Sequence, residues 1–271
     1  MKIAVSNIAW PAELDDSVFA FLAANGVEGV EVAPTRVWPQ WEGIDSASVQ
    51  AFRRTVESHG LCISSLQSIL FRKPELRLFG SDAERQALDQ HLRRCADLAA
   101  GLGAECMVFG APRNRDRGSM SEPCAFDIAA RLFARAGAYC AERGVCLVFE
   151  GNPAEYQCNF VTDSVTAAKL VNAVGSEGFQ LHLDTACLHL AGENARQAVI
   201  ENAGILRHFH ASEPYLGDFS APVAAHEEAS AALKSVNYDG WVALEMRAAE
   251  PALPALREAV RFILATYGDA S

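Results

Sequence analysis

The chain has 271 residues, of which 50% are hydrophobic and 21% charged. That composition supplies ample apolar material for a large core and excludes a disordered chain. Lys and Arg number 23 against 34 Asp and Glu, a net charge of −11, so nucleic acid is not an expected partner.

Lys2–Asn7 reads as a strand. Its continuation is broken by Pro11, Glu13, Asp15 and Asp16, too soon for the apolar centre of a secretory leader. Leu14, Val18, Phe21 and Leu22 then fall at helical spacing, and Asn25-Gly26 supplies a stop. Strands follow at Glu28–Val32 and Leu61–Gln67. Asp82–Leu102 reads as a helix ending at Gly103, before a strand at Glu105–Phe109. A helix over Pro123–Gly144 leads into the strand Val145–Glu150, and a helix over Asp163–Val174 into Phe179–Asp184. The last strands are Leu206–Ala211 and Trp241–Met246, and Leu253, Leu256, Val260 and Ile263 form the stripe of a closing helix.

Most of these eight runs are continuously apolar rather than alternating, the pattern of parallel strands covered on both faces. Their starts are 26, 33, 44, 40, 34, 27 and 35 residues apart, room for one helix each. Eight βα units without a linker predict one (β/α)₈ barrel domain over 1–271, with a doubly wound open sheet as the alternative. No run of about 18 apolar residues occurs, so no membrane span is expected. The eight cysteines include no C-x-x-C pair. Neither a disulfide scaffold nor a zinc finger is expected, and a reducing cytoplasm is the expected location.

Function in such a barrel lies at the C-terminal ends of the strands. Strand five ends in Glu150, strand six in Asp184, strand seven carries His208 and His210, and strand eight carries Glu245. An unpaired carboxylate on either face of a barrel strand costs several kcal/mol. Four adjacent strand ends carrying Glu, Asp, His and Glu escape that cost by sharing a cation at the mouth. Three carboxylates and one imidazole suit Mn²⁺ best, with Mg²⁺, Zn²⁺ and Co²⁺ as alternatives. The opposing reading is four independent groups: helix caps, surface charges or buried ion pairs.

The motifs GVEGVEVAP, VFEGNP, HLDT, HFHASEP and GWVALEM together resemble the xylose-isomerase-like barrel superfamily, which includes sugar-phosphate isomerases, ketose 3-epimerases, inosose dehydratases and endonuclease IV. The resemblance implies that Glu150, Asp184, His210 and Glu245 bind one divalent metal. It further implies that Glu150 and Glu245 exchange a proton on opposite faces of a hydroxy-ketone, through a metal-stabilised enediolate. Two positions depart from the ketose 3-epimerases. Cys187 stands where they carry His, and the charged residue after the strand-seven His is Glu213 rather than Arg. Glu31, Gln67 and Gly110 stand where the endonuclease relatives carry histidines, which together with the acidic balance argues against a nuclease.

Around this centre, Glu31 and Gln67 end strands two and three and are candidates for sugar-hydroxyl contacts, as are Asn152 and Cys187. His208 shares the parity of His210 one layer deeper, where it either contacts substrate or bonds within the core, and His182 stands so to Asp184. Arg113, Asn114, Arg115 and Arg117 follow strand four, an expected clamp for a phosphate or carboxylate that Arg247 can join; a solvated loop is the alternative. Glu213 is a further candidate acid or base. Trp10, Trp38 and Trp41 are read as a sugar-facing wall or as loop packing. The expected activity is isomerisation or epimerisation of a small sugar, sugar acid or sugar phosphate, by a monomer or a homo-oligomer. A dehydratase of a keto-polyol or cyclic hydroxy-ketone, and a non-catalytic sugar-binding barrel, are the alternatives.

Overall fold

A computed structural model describes residues 1–268. Eight parallel strands, β1 (Lys2–Ser6), β2 (Gly29–Val32), β3 (Cys62–Leu66), β4 (Cys106–Phe109), β5 (Cys146–Glu150), β6 (Phe179–Asp184), β7 (Leu206–Ser212) and β8 (Trp241–Glu245), close into a barrel in sequence order. Each strand lies within a residue or so of the expected run. The closed barrel replaces the open-sheet alternative because β1 pairs with β8 as well as with β2.

Helices α1 (Asp15–Ala24), α2 (Pro34–Val37), α3 (Ser46–Ser58), α4 (Asp82–Leu102), α5 (Glu122–Ala141), α6 (Ser164–Val174), α7 (Thr185–Leu190), α8 (Ala195–Asn202), α9 (His226–Ser235) and α10 (Ala252–Tyr267) surround it. Local chemistry sets their ends. Ser81 and Glu84 form a capping box at the start of α4, and Gly103 ends it in the left-handed conformation that L side chains resist. No described helix is long and apolar enough to cross a membrane.

Strand parity divides the core into two. Outward side chains such as Val5, Val30, Leu66, Phe109, Phe149, Phe179 and Phe209 join the helices in one large apolar layer. Inside the barrel the apolar filling is small and separate: Cys106, Val108, Cys146 and Val148 on one side, and Ala4, Trp241 and Ala243 on the other. Trp241 stoppers the N-terminal end. Its indole donates to Glu105 Oε1 at 3.0 Å, and Lys2 Nζ lies 4.4 Å from the ring centre while also donating to Glu105.

Gly29 is required beside that indole, because a Cβ there would lie 2.8 Å from a Trp241 ring carbon. Gly29→Ala is therefore expected to destabilise the protein by about 1–3 kcal/mol, the usual cost of overpacking a rigid core. Urea unfolding would measure it, and an unchanged midpoint would show that the indole can retreat.

Candidate metal centre at the barrel mouth

Above this plug the barrel interior becomes polar, and the register of β6 and β7 decides which groups meet. A shift between Leu181 and His182 brings His182 opposite His208 and Asp184 opposite His210. Both pairs point inward, stacked in two layers. Glu150, opposite His182, and Glu245, opposite Ser212, are the last residues of β5 and β8.

One ligand atom from each of Glu150, His182, Asp184 and His210 lies within 4.8 Å of the others. His210 Nδ1 is 3.7 Å from Asp184 Oδ2 and 3.3 Å from Glu245 Oε2. The centre thus gathers the three expected groups Glu150, Asp184 and His210, with Glu245 adjoining through His210. It also includes His182, which sequence parity turned inward without revealing its partners. His182 Nε2 stands 3.5 Å from Glu150 Oε1, and its ring meets that of His210 edge-on at 4.2 Å.

The groups beneath hold the centre in place. Glu31, fully buried, accepts from His210 Nε2 at 2.8 Å, His208 Nε2 at 3.2 Å and Ser65 Oγ at 3.1 Å. This uses one nitrogen of His210 and turns Nδ1 toward the Asp184 and Glu245 carboxylates. Asp184 accepts from the Cys187 backbone N–H, capping α7, and from Ser212 Oγ at 2.6 Å. Glu150 Oε2 accepts from Asn152 Nδ2 at 2.6 Å. Gly110 leaves room for that carboxylate, since a Cβ there would overlap Oε2.

Electrostatics follow from this packing. Burial opposes ionisation of Glu31, but the charge of His210 and the bonds from both histidines hold its carboxyl well below the usual range. Burial lowers and the flanking Glu31 and Glu245 carboxylates raise the His210 imidazole, which ends well above its ordinary value. Burial pushes Glu245 up to about 7, and burial with the neighbouring Glu150 charge raises Asp184. Burial and the adjoining imidazoles push His182 well below the ordinary value.

The residues fit a divalent cation. His210 Nδ1 is buried and makes no geometrically sound hydrogen bond, and both nitrogens of His182 are likewise without partners. Orphaned buried nitrogens beside gathered carboxylates are costly unless a cation satisfies them together. Oxygen donors with imidazole match the hard and borderline divalent ions.

Several candidate contacts are placed elsewhere. The arginine loop forms no clamp around Arg115, because that guanidinium finds internal acceptors. Fully buried, Arg115 donates to the Glu150 carbonyl at 2.7 Å and to Asn152 Oδ1 at 2.8 Å, with its plane over the Phe149 ring. Asn114 donates to the carbonyls of Lys73 and Leu76, bracing the loop after β3. Arg117 donates to the carbonyls of Asn159 and Met120, and Arg113 is exposed.

Glu213 is locked to His226 Nε2 at 2.7 Å and to the Val223 and Ala224 N–H groups, so it ties down its own loop. Arg247 donates to the Tyr215 carbonyl. Gln67 is bound to Ser6 and Ser68. Glu31 and His208 lie in the lower layer, bonded to each other rather than facing the mouth. Cys187 stays at the centre, its Sγ 3.9 Å from Glu150 Oε1 and 3.5 Å from Asn152 Nδ2, and burial beside carboxylates keeps it a thiol. Trp10 and Trp41 are buried in loop packing, and Trp38 leans on Phe52.

No curated protein matches the chain by sequence. Among solved structures, a D-psicose 3-epimerase crystallised in the presence of D-fructose superposes with a TM-score of 0.84 at 16% identity, over 99% of this chain and 100% of that one. A 3-keto-D-glucoside 4-epimerase from E. coli gives a TM-score of 0.80 at 17% identity, over 98% and 99%. A probable 3-DHS dehydratase of petrobactin synthesis from Bacillus anthracis gives 0.74 at 15% identity, over 98% and 99%. At these identities the likeness is one of fold. A family model covers residues 19–266, and by that match the chain belongs to the xylose isomerase-like TIM barrels.

Proposed function

We propose that this protein is a divalent-metal-dependent isomerase or epimerase of a small sugar, working by proton transfer next to a carbonyl. The observation that carries this reading is the gathering of Glu150, Asp184 and His210, with Asp184 and Glu245 facing the unpartnered Nδ1 of His210. The fold likeness to two sugar epimerases supports it.

A cation held by Glu150, Asp184, His210 and Glu245, Mn²⁺ by preference, would supply Lewis-acid polarisation of a carbonyl oxygen. The chain's own residues do the rest. Glu150 and Glu245 stand on β5 and β8, either side of β6 and β7, and so flank a planar intermediate from two directions. One removes the proton beside the carbonyl and the other returns a proton to the opposite face. Asn152 and Arg115 orient Glu150, the first through its carboxylate and the second through its carbonyl. Cys187 and Asn152 lie beside that carboxylate.

The test is deuterium exchange. Protein loaded with Mn²⁺ in D₂O, offered D-fructose and dihydroxyacetone, is expected to label carbon next to the carbonyl, followed by proton NMR. Absence of label with both would overturn the reading.

Metal binding should be pH-dependent. Ligation requires the Glu245 carboxyl, pushed up to about 7, and His210, also raised, to shed protons. Affinity for Mn²⁺ is therefore expected to rise with pH, by about tenfold per unit for each proton released, and to weaken below 7. Calorimetry in two buffers of different ionisation enthalpy would count the protons.

A dehydratase reading has one observation in its favour. One fold relative is a probable 3-DHS dehydratase. Loss of water with a new ultraviolet chromophore would identify that outcome.

A further inference from the structure

Tyr215 occupies the left-handed region, with φ 60° and ψ 26°, and Leu216 follows with φ 57°. Among the described residues these are the only adjacent non-glycine residues with positive φ. Such backbone is unfavourable for a bulky side chain and persists only where surrounding contacts impose it. Three contacts do so. The Tyr215 N–H donates to Tyr156 Oη at 3.0 Å, Arg247 Nη2 donates to the Tyr215 carbonyl at 2.7 Å, and the Arg247 N–H donates to the Leu216 carbonyl at 3.0 Å.

The strained residue nevertheless buries little. The residue is 58% exposed, and its ring meets that of Tyr156 edge-on, with ring centres 5.6 Å apart. Burial of the ring does not account for the strain. The pair also has a telling position. Tyr156 follows β5 and Tyr215 follows β7, and the turn holding Tyr215 packs against α7, which Asp184 caps. Both rings thus belong to the mouth, above the three strands carrying Glu150, Asp184 and His210.

We infer that Tyr156 and Tyr215 form an aromatic subsite for the C–H face of the extended chain of an unphosphorylated sugar whose carbonyl end lies at the Glu150–Asp184–His210 centre. The C–H face of a sugar chain is apolar and matches the negative face of a phenol ring. Tyr156 Oη accepts from Tyr215, leaving its own hydrogen for a sugar hydroxyl. Two of the arginines suited to a phosphate serve the protein instead: Arg115 is enclosed around Glu150 and Asn152, and Arg247 holds the Tyr215 carbonyl. Recognition by aromatic faces selects a neutral sugar. This inference rests on the proposed sugar chemistry of the same centre.

The test compares Mn²⁺-loaded wild type with Tyr215→Phe, Tyr215→Ala and Tyr215→Gly, titrated calorimetrically with D-fructose, fructose 6-phosphate and dihydroxyacetone, the last being the chelating fragment without the distal carbons. Wild type is expected to prefer fructose over dihydroxyacetone and to gain nothing from the phosphate. In the Ala and Gly variants that preference should fall about fivefold, the worth of one aromatic contact, while Phe retains it. Tyr215→Gly should at the same time melt at a higher temperature, because glycine relieves the strain, and a residue kept only for structure would not pair greater stability with weaker sugar binding. An unchanged preference in the Ala variant, tighter binding of fructose 6-phosphate than of fructose, or binding of neither sugar by wild type would each overturn the subsite. Deuterium exchange on the same samples separates the two readings. Exchange with unaltered preference removes the subsite alone, and altered preference without exchange removes the isomerase reading alone.

Discussion

Glu150→Gln and Glu245→Gln, made separately, are each expected to lower turnover by about 10²–10⁴-fold, the range for loss of a positioned acid or base. The amide preserves shape: a glutamine side chain at position 150 would keep Asn152 as its neighbour, and the barrel should melt within a few degrees of wild type. Both residues are also candidate ligands, so the measurement is made at saturating Mn²⁺, with occupancy checked by calorimetry. Two carboxylates on opposite sides imply a further asymmetry. Each variant should retain slow deuterium entry on the face served by the surviving carboxylate, while interconversion of epimers is lost. Full turnover in either variant would remove that residue from the reaction.

The second large effect is expected from a residue outside the proposed ligand set. Glu31→Gln should weaken Mn²⁺ binding by about 10–100-fold, the usual consequence of removing a carboxylate behind a ligating histidine. The reason lies in the bonds from His210 Nε2 and His208 Nε2 to Glu31. They fix the ring of His210 so that Nδ1 faces Asp184 and Glu245, and the negative charge makes that nitrogen a better donor. Glutamine keeps one acceptor oxygen but loses the charge and presents an N–H₂ where a lone pair is needed. Ser65→Ala, which removes only the hydroxyl contact to Glu31, serves as the control and should change affinity far less. A Glu31→Gln dissociation constant within threefold of wild type would reduce Glu31 to a structural role.

The barrel was legible because its strands are buried on both faces. That condition forces nearly continuous apolar runs, such as Cys146–Phe149, and the residues ending those runs can be read directly. Which atoms meet was not legible. Glu31 looked like a mouth residue because it nears the end of an apolar run, but β2 is short and its pairing with β3 shifts after Val30, leaving Glu31 in the layer of His208. The arginines after β4 read as a cationic patch because sequence shows charge without showing acceptors. Arg115 reaches a carbonyl 35 residues away, a contact no local pattern encodes. His182 was visible by parity, yet its lack of hydrogen-bond partners emerges only once the facing strands are in register. Tyr215 carried no signal at all, since neither glycine nor asparagine announces its left-handed backbone.

The indole stopper at the N-terminal end has a kinetic corollary. With Trp241, Lys2 and Glu105 sealing that end, the chamber is a blind well rather than a tunnel. In the proposed reaction, a proton abstracted from a bound sugar would have to leave by the entrance the sugar itself blocks. Internal return should then compete with washout, so that part of the original hydrogen reappears in product even in heavy water.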